Sequence, residues 1–355
     1  MHVDSFSRDL LRWFDRHGRT QLPWQQERSP YRVWLSEIML QQTQVATVIP
    51  YYQRFLVRFP DVRALASASL EEVLALWAGL GYYARARHLH RCAQAVVHGH
   101  GGEFPRDIET LKSLPGIGRS TAGAILAFAH EQRHPILDGN VKRVLARFHA
   151  IDGPPSGRAV QDRLWQLADR HTPASRVAAY TQAIMDLGAT VCTRTRPRCD
   201  LCPLAKDCRA RAEGNIDRYP ASKLRKTLPV RSRRFLVVRK PSGHILLQAR
   251  PPAGIWGGLW SLPELDIDTE AEHWCTTHGL NVHRTTTWKV MRHSFSHYHL
   301  DIHPLVLDVQ APSPTVMDAD RWLWYKDGEV SEVGLPAPVR RLLDHLDAAQ
   351  ESPET

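Results

Sequence analysis

The chain has 355 residues, 43% of them hydrophobic and 23% charged, which is ordinary globular usage and excludes a fibrous or disordered protein. At ~150 residues per domain, the length predicts two or three domains. Lysine and arginine outnumber aspartate and glutamate by 46 to 37, and this net charge of +9 favours an anionic partner, nucleic acid first.

The first ~220 residues read as mostly helical. Trp34, Ile38, Val45 and Ile49 recur at helical spacing, with Glu37, Gln41 and Gln44 predicted to share a polar strip beside them. Such a strip is either a solvated face or, at Glu37, a carboxyl whose pKa is raised by apolar neighbours. Phe59-Pro60-Asp61 signals a turn, then Leu70, Val73, Leu74 and Trp77 resume the period up to a turn at Gly99 to Gly102. A helix is predicted to end at Leu114. Pro115-Gly116-Ile117-Gly118 makes a tight hairpin, and Arg119-Ser120-Thr121-Ala122-Gly123-Ala124 opens a second helix with small residues. Asp138 stands at the start of the next helical stretch, where a helix cap is its plainest role. Asp152 to Pro155 is a further turn. Leu164, Leu167 and Ala168, then Ala183, Ile184 and Leu187, continue the helical pattern.

From Tyr219 to Pro229 the chain is polar, basic and aperiodic, and reads as a linker. Beyond it the texture is α+β. Phe235 to Val238 and Ile245 to Leu247 flank a Pro241-Ser242-Gly243 turn as a hairpin. His299 to Leu307 is another strand, and a helix closes the domain near Pro338 to Leu346.

Six cysteines are present, and Cys192, Cys199, Cys202 and Cys208 cluster with spacing C-x6-C-x2-C-x5-C. The N-terminus is interrupted by Asp4, Asp9 and Asp15, so it does not read as an export signal. The longest apolar run, Ala122 to Ala129, is far short of the ~18 residues of a membrane helix. A cytoplasmic protein without membrane contact is expected, and there four clustered thiols read as a metal site. All-thiolate ligation suits either zinc or an iron–sulfur cluster. Cys92 and Cys275 read as small buried hydrophobes. The hairpin's exposed N–H groups suit a phosphate, so Leu114 to Gly118 reads as a sequence-independent grip on a DNA backbone.

This order, a helix-hairpin-helix, an aspartate some twenty residues on, then the four cysteines, resembles the iron–sulfur DNA glycosylases of the endonuclease III superfamily. Leu35-Ser36-Glu37-Ile38-Met39-Leu40-Gln41-Gln42-Thr43-Gln44 and Gly79-Leu80-Gly81-Tyr82-Tyr83-Ala84-Arg85-Ala86 resemble its adenine DNA glycosylases, the MutY family. The likeness runs from Leu22-Pro23-Trp24 to the C-terminal part. It implies an all-α helix-hairpin-helix glycosylase domain over residues 1–218, with a six-helix module at about 30–135 and an iron–sulfur module at about 1–29 and 136–218. A linker at 219–229, an α+β Nudix-like domain at 230–348 and a frayed tail at 349–355 would follow.

The resemblance also implies chemistry. The substrate would be double-stranded DNA carrying adenine opposite 8-oxoguanine or guanine, the protein a monomer, and the cofactor a 4Fe-4S cluster on Cys192, Cys199, Cys202 and Cys208. Glycoside cleavage uses two carboxyls in different states. Glu37 would protonate adenine N7 and later activate water. Asp138 would stabilise the sugar cation, with Asn140 and Ser120 beside it. Trp24, Gln25, Gln42, Leu80, Gly81, Tyr82 and Gln182 match positions around the extruded adenine or the intercalated strand, and Tyr82 would be the wedge. Phe295-Ser296-His297 matches the loop on the damaged base. Arg194, Arg196 and Arg198 suit phosphate contact.

Two competitors are weighed on residues. A bifunctional endonuclease III-like glycosylase/lyase for oxidised pyrimidines needs a lysine amine for a Schiff base, and Ser120 occupies that position; only Lys142 is near, as a slow trap for an abasic product. A Nudix hydrolase needs box carboxylates for magnesium. Here Gly258, Glu264, Gly279 and Leu280 fit the box, but Glu272-His273 and Thr276-Thr277 replace its acidic core, so hydrolysis of nucleotide pyrophosphates is not expected.

Overall fold

The structure is a computed structural model and describes residues 4–221, 227–310, 321–326 and 333–350. Residues 222–226 of the expected linker and 351–355 of the expected tail lie outside the described residues. The chain divides into two compact units, Met1–Ser67 with His88–Arg225, and Ala68–Arg87 with Lys226–Thr355.

Helices run in chain order as α1 (Ser5–His17), α2 (Pro23–Gln26), α3 (Pro30–Leu40), α4 (Val45–Arg58), α5 (Val62–Ser67), α6 (Leu70–Trp77), α7 (Ala84–His100), α8 (Ile108–Ser113), α9 (Arg119–His130), α10 (Gly139–Phe148), α11 (Arg158–His171), α12 (Val177–Thr190) and α13 (Arg209–Ala212). Short polar side chains start several of them. Ser29 caps α3, followed by proline in its first turn; Asp107 caps α8; and Asp138 caps α10. In the first unit Phe6, Leu10, Ile136, Val141, Leu145, Leu164, Tyr180, Ile184 and Leu187 bury together, drawing α1, α10, α11 and α12 around one core.

Two expectations need correction. The stretch from Trp34 to Ile49 is not one helix. α3 stops at Leu40, Gln42 turns left-handed (φ 57°), and Gln44 caps α4, so Glu37, Gln41 and Gln44 do not share one helical strip. The Gln41 and Thr43 N–H groups close this turn on the carbonyls of Ile38 (3.4 Å) and Leu40 (3.3 Å). The turn expected at Gly99 to Gly102 begins later. α7 continues through Gly99 to His100, and the Gly102 N–H closes it on Val96 O, six positions back (3.0 Å).

In the second unit the strands are β1 (Val230–Arg239), β2 (Ile245–Ala249), β3 (Trp260–Ser261), β4 (Glu264–Leu265), β5 (Val282–Thr287), β6 (Met291–Ser294), β7 (His299–Val309) and β8 (Trp322–Tyr325), with α14 (Ala271–Thr277) and α15 (Ala337–Gln350). The predicted hairpin is present, Arg239 opposing Ile245. The sheet is mixed, in order β3-β2-β1-β7-β5. β1 and β7 run parallel in register from Val230↔His299 to Arg239↔Asp308, while the other pairings are antiparallel. Phe235 to Val238 are all buried, as a strand covered on both faces requires. Leu236 and Val238 pack with Ala271 and Cys275 of α14.

Candidate active site and cysteine cradle

A cavity of about 1110 Å³ opens in the first unit. Trp24, Gln25, Glu37, Gln42, Ser120, Asp138, Asn140 and Gln182 all line it, although they come from six different parts of the chain. The break after Leu40 is what turns Gln41, Gln42 and Gln44 onto the same wall as Glu37.

Glu37 is part-buried where α3 meets the cavity, and desolvation pushes its carboxyl up to about 8, with Asp138 adding to the shift. Asp138 is raised by burial too, but three groups oppose that rise. The Val141 N–H donates to its Oδ1 (2.7 Å), Asn140 Nδ2 donates to its Oδ2 (3.3 Å), and the Arg143 charge lies near. Two carboxyls of one cavity are therefore held unequally: Glu37 is pushed toward the acid form, while Asp138 carries donors that favour the anion.

The remaining wall is tied together by polar contacts. Ser120 Oγ accepts the Leu137 N–H (3.0 Å), fixing the residue before Asp138. Gln182 Nε2 donates to Asp186 (2.9 Å), and Asp186 takes the Arg19 fork at 2.6 and 2.9 Å. Gln25 closes the circuit by donating to Arg19 O (2.8 Å). Trp24 is buried with its ring edge-on to Tyr52, centroids 5.5 Å apart.

The four clustered cysteines line a second cavity of about 30 Å³, together with Arg147, Arg198 and Arg211. Among the described residues no three ligand side chains stand close enough to hold one metal ion. Four thiols lining one small space are a donor set that suits zinc or an iron–sulfur cluster. Burial and mutual repulsion raise the thiols of Cys199, Cys202 and Cys208, so their thiolate forms need a bound cation. Arg147 donates to Cys192 Sγ (3.4 Å) and Thr193 O (2.7 Å). One turn earlier on α10, Arg143 reaches Cys192 O (2.7 Å), Gly188 O (2.6 Å) and Asn140 Oδ1 (2.7 Å).

Arg19, Arg143, Arg147 and Asp186 were missed by sequence reasoning. The two α10 arginines at i and i+4 gave a usable signal, a basic stripe on the helix that follows Asp138. Arg19 and Asp186 meet across 167 positions and gave none.

Leu114 to Gly118 form the α8–α9 turn and do not line the cavity. Gly116 is required there: its φ is 79°, and a Cβ would sit 2.8 Å from His88 Cβ. Gly118 leads directly into α9, whose first turn has no side-chain cap and no acidic residue.

The other expected residues belong to the second unit. Leu80, Gly81 and Tyr82 connect α6 to α7, with Leu80 buried and Tyr82 51% exposed. Phe295, Ser296 and His297 turn from β6 to β7. Phe295 packs on Trp256 (5.4 Å) and His293 (4.6 Å), leaving Ser296 and His297 exposed. In the Nudix-like segment Glu264 pairs with Arg250 at 2.5 Å, and the Thr276 and Thr277 hydroxyls donate back to the carbonyls of Glu272 (2.9 Å) and His273 (2.7 Å). Cys92 and Cys275 are buried, as expected of small hydrophobes.

Residues 35–170 match the family described as HhH-GPD superfamily base excision DNA repair protein, and residues 234–345 match the NUDIX domain. A helical unit with this hairpin and this two-carboxyl cavity therefore defines a base excision repair protein of the helix-hairpin-helix class. The chain is 36% identical to the adenine DNA glycosylase of Buchnera aphidicola subsp. Acyrthosiphon pisum (strain APS) over 96% of its own length and 97% of the relative's. It is 37% identical to that of Rattus norvegicus, covering 92% of this chain and 75% of the relative. The solved structure of a thermostable thymine-DNA glycosylase superposes with a TM-score of 0.53 at 25% identity, over 59% of this chain and 95% of that one. The chain belongs to the adenine DNA glycosylase family.

Proposed function

We propose that the protein removes adenine mispaired with 8-oxoguanine or guanine in double-stranded DNA, by hydrolysing the N-glycosidic bond without cutting the strand. The observation that carries this reading is that Glu37 and Asp138 line one cavity, Glu37 raised by burial and Asp138 with hydrogen-bond donors that oppose its rise.

Adenine leaves poorly as an anion. A proton delivered by Glu37 to a ring nitrogen, N7, lets it depart neutral, and the C1′–N9 bond breaks as the sugar becomes cationic. The Asp138 carboxylate faces that cation, oriented by Asn140 and by the Ser120 tether on Leu137. Glu37, now ionised, takes a proton from the attacking water and returns to its acid form. Adenine must leave the stack to arrive here, and Trp24, Gln25, Gln42 and Gln182, which line the cavity, would receive it. Leu80, Gly81 and Tyr82 act on the strand, with Tyr82 as the wedge. Phe295, Ser296 and His297 read the opposite base. The Leu114–Gly118 turn and the free N–H groups of α9 hold backbone phosphate.

Cys192, Cys199, Cys202 and Cys208 would hold a 4Fe-4S cluster, which supplies a fixed core for the Thr193–Arg198 loop and takes no part in the bond cleavage. Among the described residues no lysine lines the large cavity, which counts against Schiff-base lyase chemistry; Lys142 lies one turn into α10. We place the protein as a monomer in the cytoplasm, acting at the nucleoid.

The test is a panel of duplexes with adenine opposite each base and opposite 8-oxoguanine, treated with alkali after incubation. Breaks only after alkali, and only opposite 8-oxoguanine and guanine, are expected. Uniform inactivity, or scission before alkali, would refute the proposal.

A further inference from the structure

The connection from α6 to α7 is held in an unusual backbone conformation. Gly79 (φ 93°), Gly81 (φ 76°) and Tyr82 (φ 51°) all enter the left-handed region within four residues. Glycine does so freely; tyrosine does so only where its surroundings over-determine it.

The surroundings here are specific. The Gly81 carbonyl accepts from Trp77 Nε1 (3.1 Å) and from Arg85 Nη2 (3.1 Å), so side chains on the two flanking helices take both of its lone pairs. The same Arg85 nitrogen donates to Leu80 O (3.4 Å). Tyr83 secures the other end, its hydroxyl accepting the Gly79 N–H (3.3 Å) and donating to Leu335 O (3.5 Å). The Arg85 guanidinium also lies 5.3 Å from the Trp77 ring centroid and 5.4 Å from that of Tyr82, within cation–π range of both. The result is a rigid loop between two buried residues, Leu80 and Tyr83, presenting an aromatic ring that is backed by a cation and otherwise 51% exposed.

We infer that Arg85 is a positioning residue: it clamps the Leu80 and Gly81 carbonyls and supports the Tyr82 ring, so that the ring is already ordered when it enters the base stack. This rests on the reading of Tyr82 as the wedge. A side chain ordered beforehand loses no rotamer entropy on binding, and the favourable contact is kept for unstacking. Lysine at position 85 would keep the charge but lose the planar guanidinium, whose Nη2 donates to both carbonyls and whose face lies against the Tyr82 ring.

The experiment compares Arg85→Lys, Tyr82→Ala, the double variant and Trp77→Phe in the full-length protein. Single-turnover excision is measured alongside fluorescence of 2-aminopurine placed beside the target adenine, which reports unstacking. Arg85→Lys is expected to excise roughly 10- to 100-fold more slowly, the scale of a misplaced positioning element. Its unstacking signal should fall, while its melting temperature and the salt dependence of its nonspecific DNA binding stay unchanged. The double variant should be no slower than Tyr82→Ala alone. Trp77→Phe removes the second donor and keeps the ring. It should slow excision in the same way, and it carries the test if Arg85→Lys melts early.

An additive double variant, a wild-type rate in Arg85→Lys or Trp77→Phe, or a salt slope reduced by about one, the mark of a lost phosphate contact, would overturn the inference. If Tyr82→Ala is slow but Arg85→Lys is not, only this inference falls. If Tyr82→Ala itself excises at the wild-type rate, the wedge reading fails and takes this one with it.

Discussion

Replacing Glu37 by glutamine should make the protein inactive and more stable at once, and one number links the two effects. A free glutamic acid at pH 7.5 is protonated about 0.1% of the time, whereas one raised to about 8 is protonated about 75% of the time, a gain of about 760-fold in acid ready to donate. The same ratio is the price of holding that carboxyl in its cavity. It corresponds to about 4 kcal/mol of folding stability forgone at pH 7.5 relative to a neutral side chain.

The sign follows from the direction of the shift. The folded-state pKa is raised, so the contribution of Glu37 is fully favourable below its ordinary value of 4.5 and is lost as pH climbs from there through about 8. Glu37→Gln should therefore melt higher than wild type at pH 7.5, by several degrees even if only half of that energy is recovered, and the gap should close near pH 4.5. Its excision rate should fall by at least ~10³-fold if the proton is needed. In the wild-type protein the single-turnover rate should drop about tenfold per pH unit above about 8. A second fall on the acid side should come where Asp138 protonates, above the ordinary aspartate value of 3.8. The assays are alkali-developed single-turnover time courses from pH 5 to 9.5 and melting curves of both proteins at pH 4.5 and 7.5. A rate that stays level from pH 8 to 9.5, or a Glu37→Gln protein that melts no higher than wild type at pH 7.5, would refute the reasoning.

Other perturbations test the frame around the carboxyls. At Gly188 an added Cβ would sit 2.6 Å from Asn140 Cβ and 3.0 Å from its Cα, so Gly188→Ala should push α10 away. A loss of ~1–3 kcal/mol in melting experiments is expected, with excision down more than tenfold. Ser120→Ala strips the Leu137 N–H of its acceptor and should cost ~1–3 kcal/mol together with rate, while Ser120→Thr restores both; equal activity in all three would show that the tether does not matter. Cys202→Ser should purify without the four irons per chain expected of the intact protein and should melt lower, as elemental analysis and calorimetry would show. Nonspecific DNA binding should weaken steeply with salt on a log–log plot, and a flat profile would argue against the backbone grip.

The parts of this molecule that could be read from the sequence are those whose signal is local. The Leu114–Gly118 hairpin and the start of α10 each lie within a few turns of chain and form where the sequence predicts them, and the four spaced cysteines line one small cavity. The parts that could not be read are long-range. β1 and β7 pair in parallel across some seventy residues, and nothing in Val230 to Arg239 names its partner. Arg19 and Asp186 look like ordinary surface residues until the fold buries the aspartate almost completely. The break after Leu40 was hidden because apolar spacing continues across it; only the left-handed Gln42 reveals that the chain turns to face the cavity.

Asp138 shows why a local reading and a chemical one need not compete. From the sequence it could be a helix cap or an active-site anion, and the structure makes it the cap of α10 on the cavity wall. The capping bond from the Val141 N–H falls on one carboxylate oxygen and lowers a pKa that burial would otherwise raise freely. Glu37, raised by the same burial, has no such opposing donor among the causes of its shift. The bond that starts a helix therefore also helps to decide which of the two carboxyls gives up its proton first. Asn140 adds to that choice from within the first turn of α10. A cap substitution that keeps the helix, Asp138→Asn, should accordingly preserve folding while removing the anion, separating the two roles of one side chain.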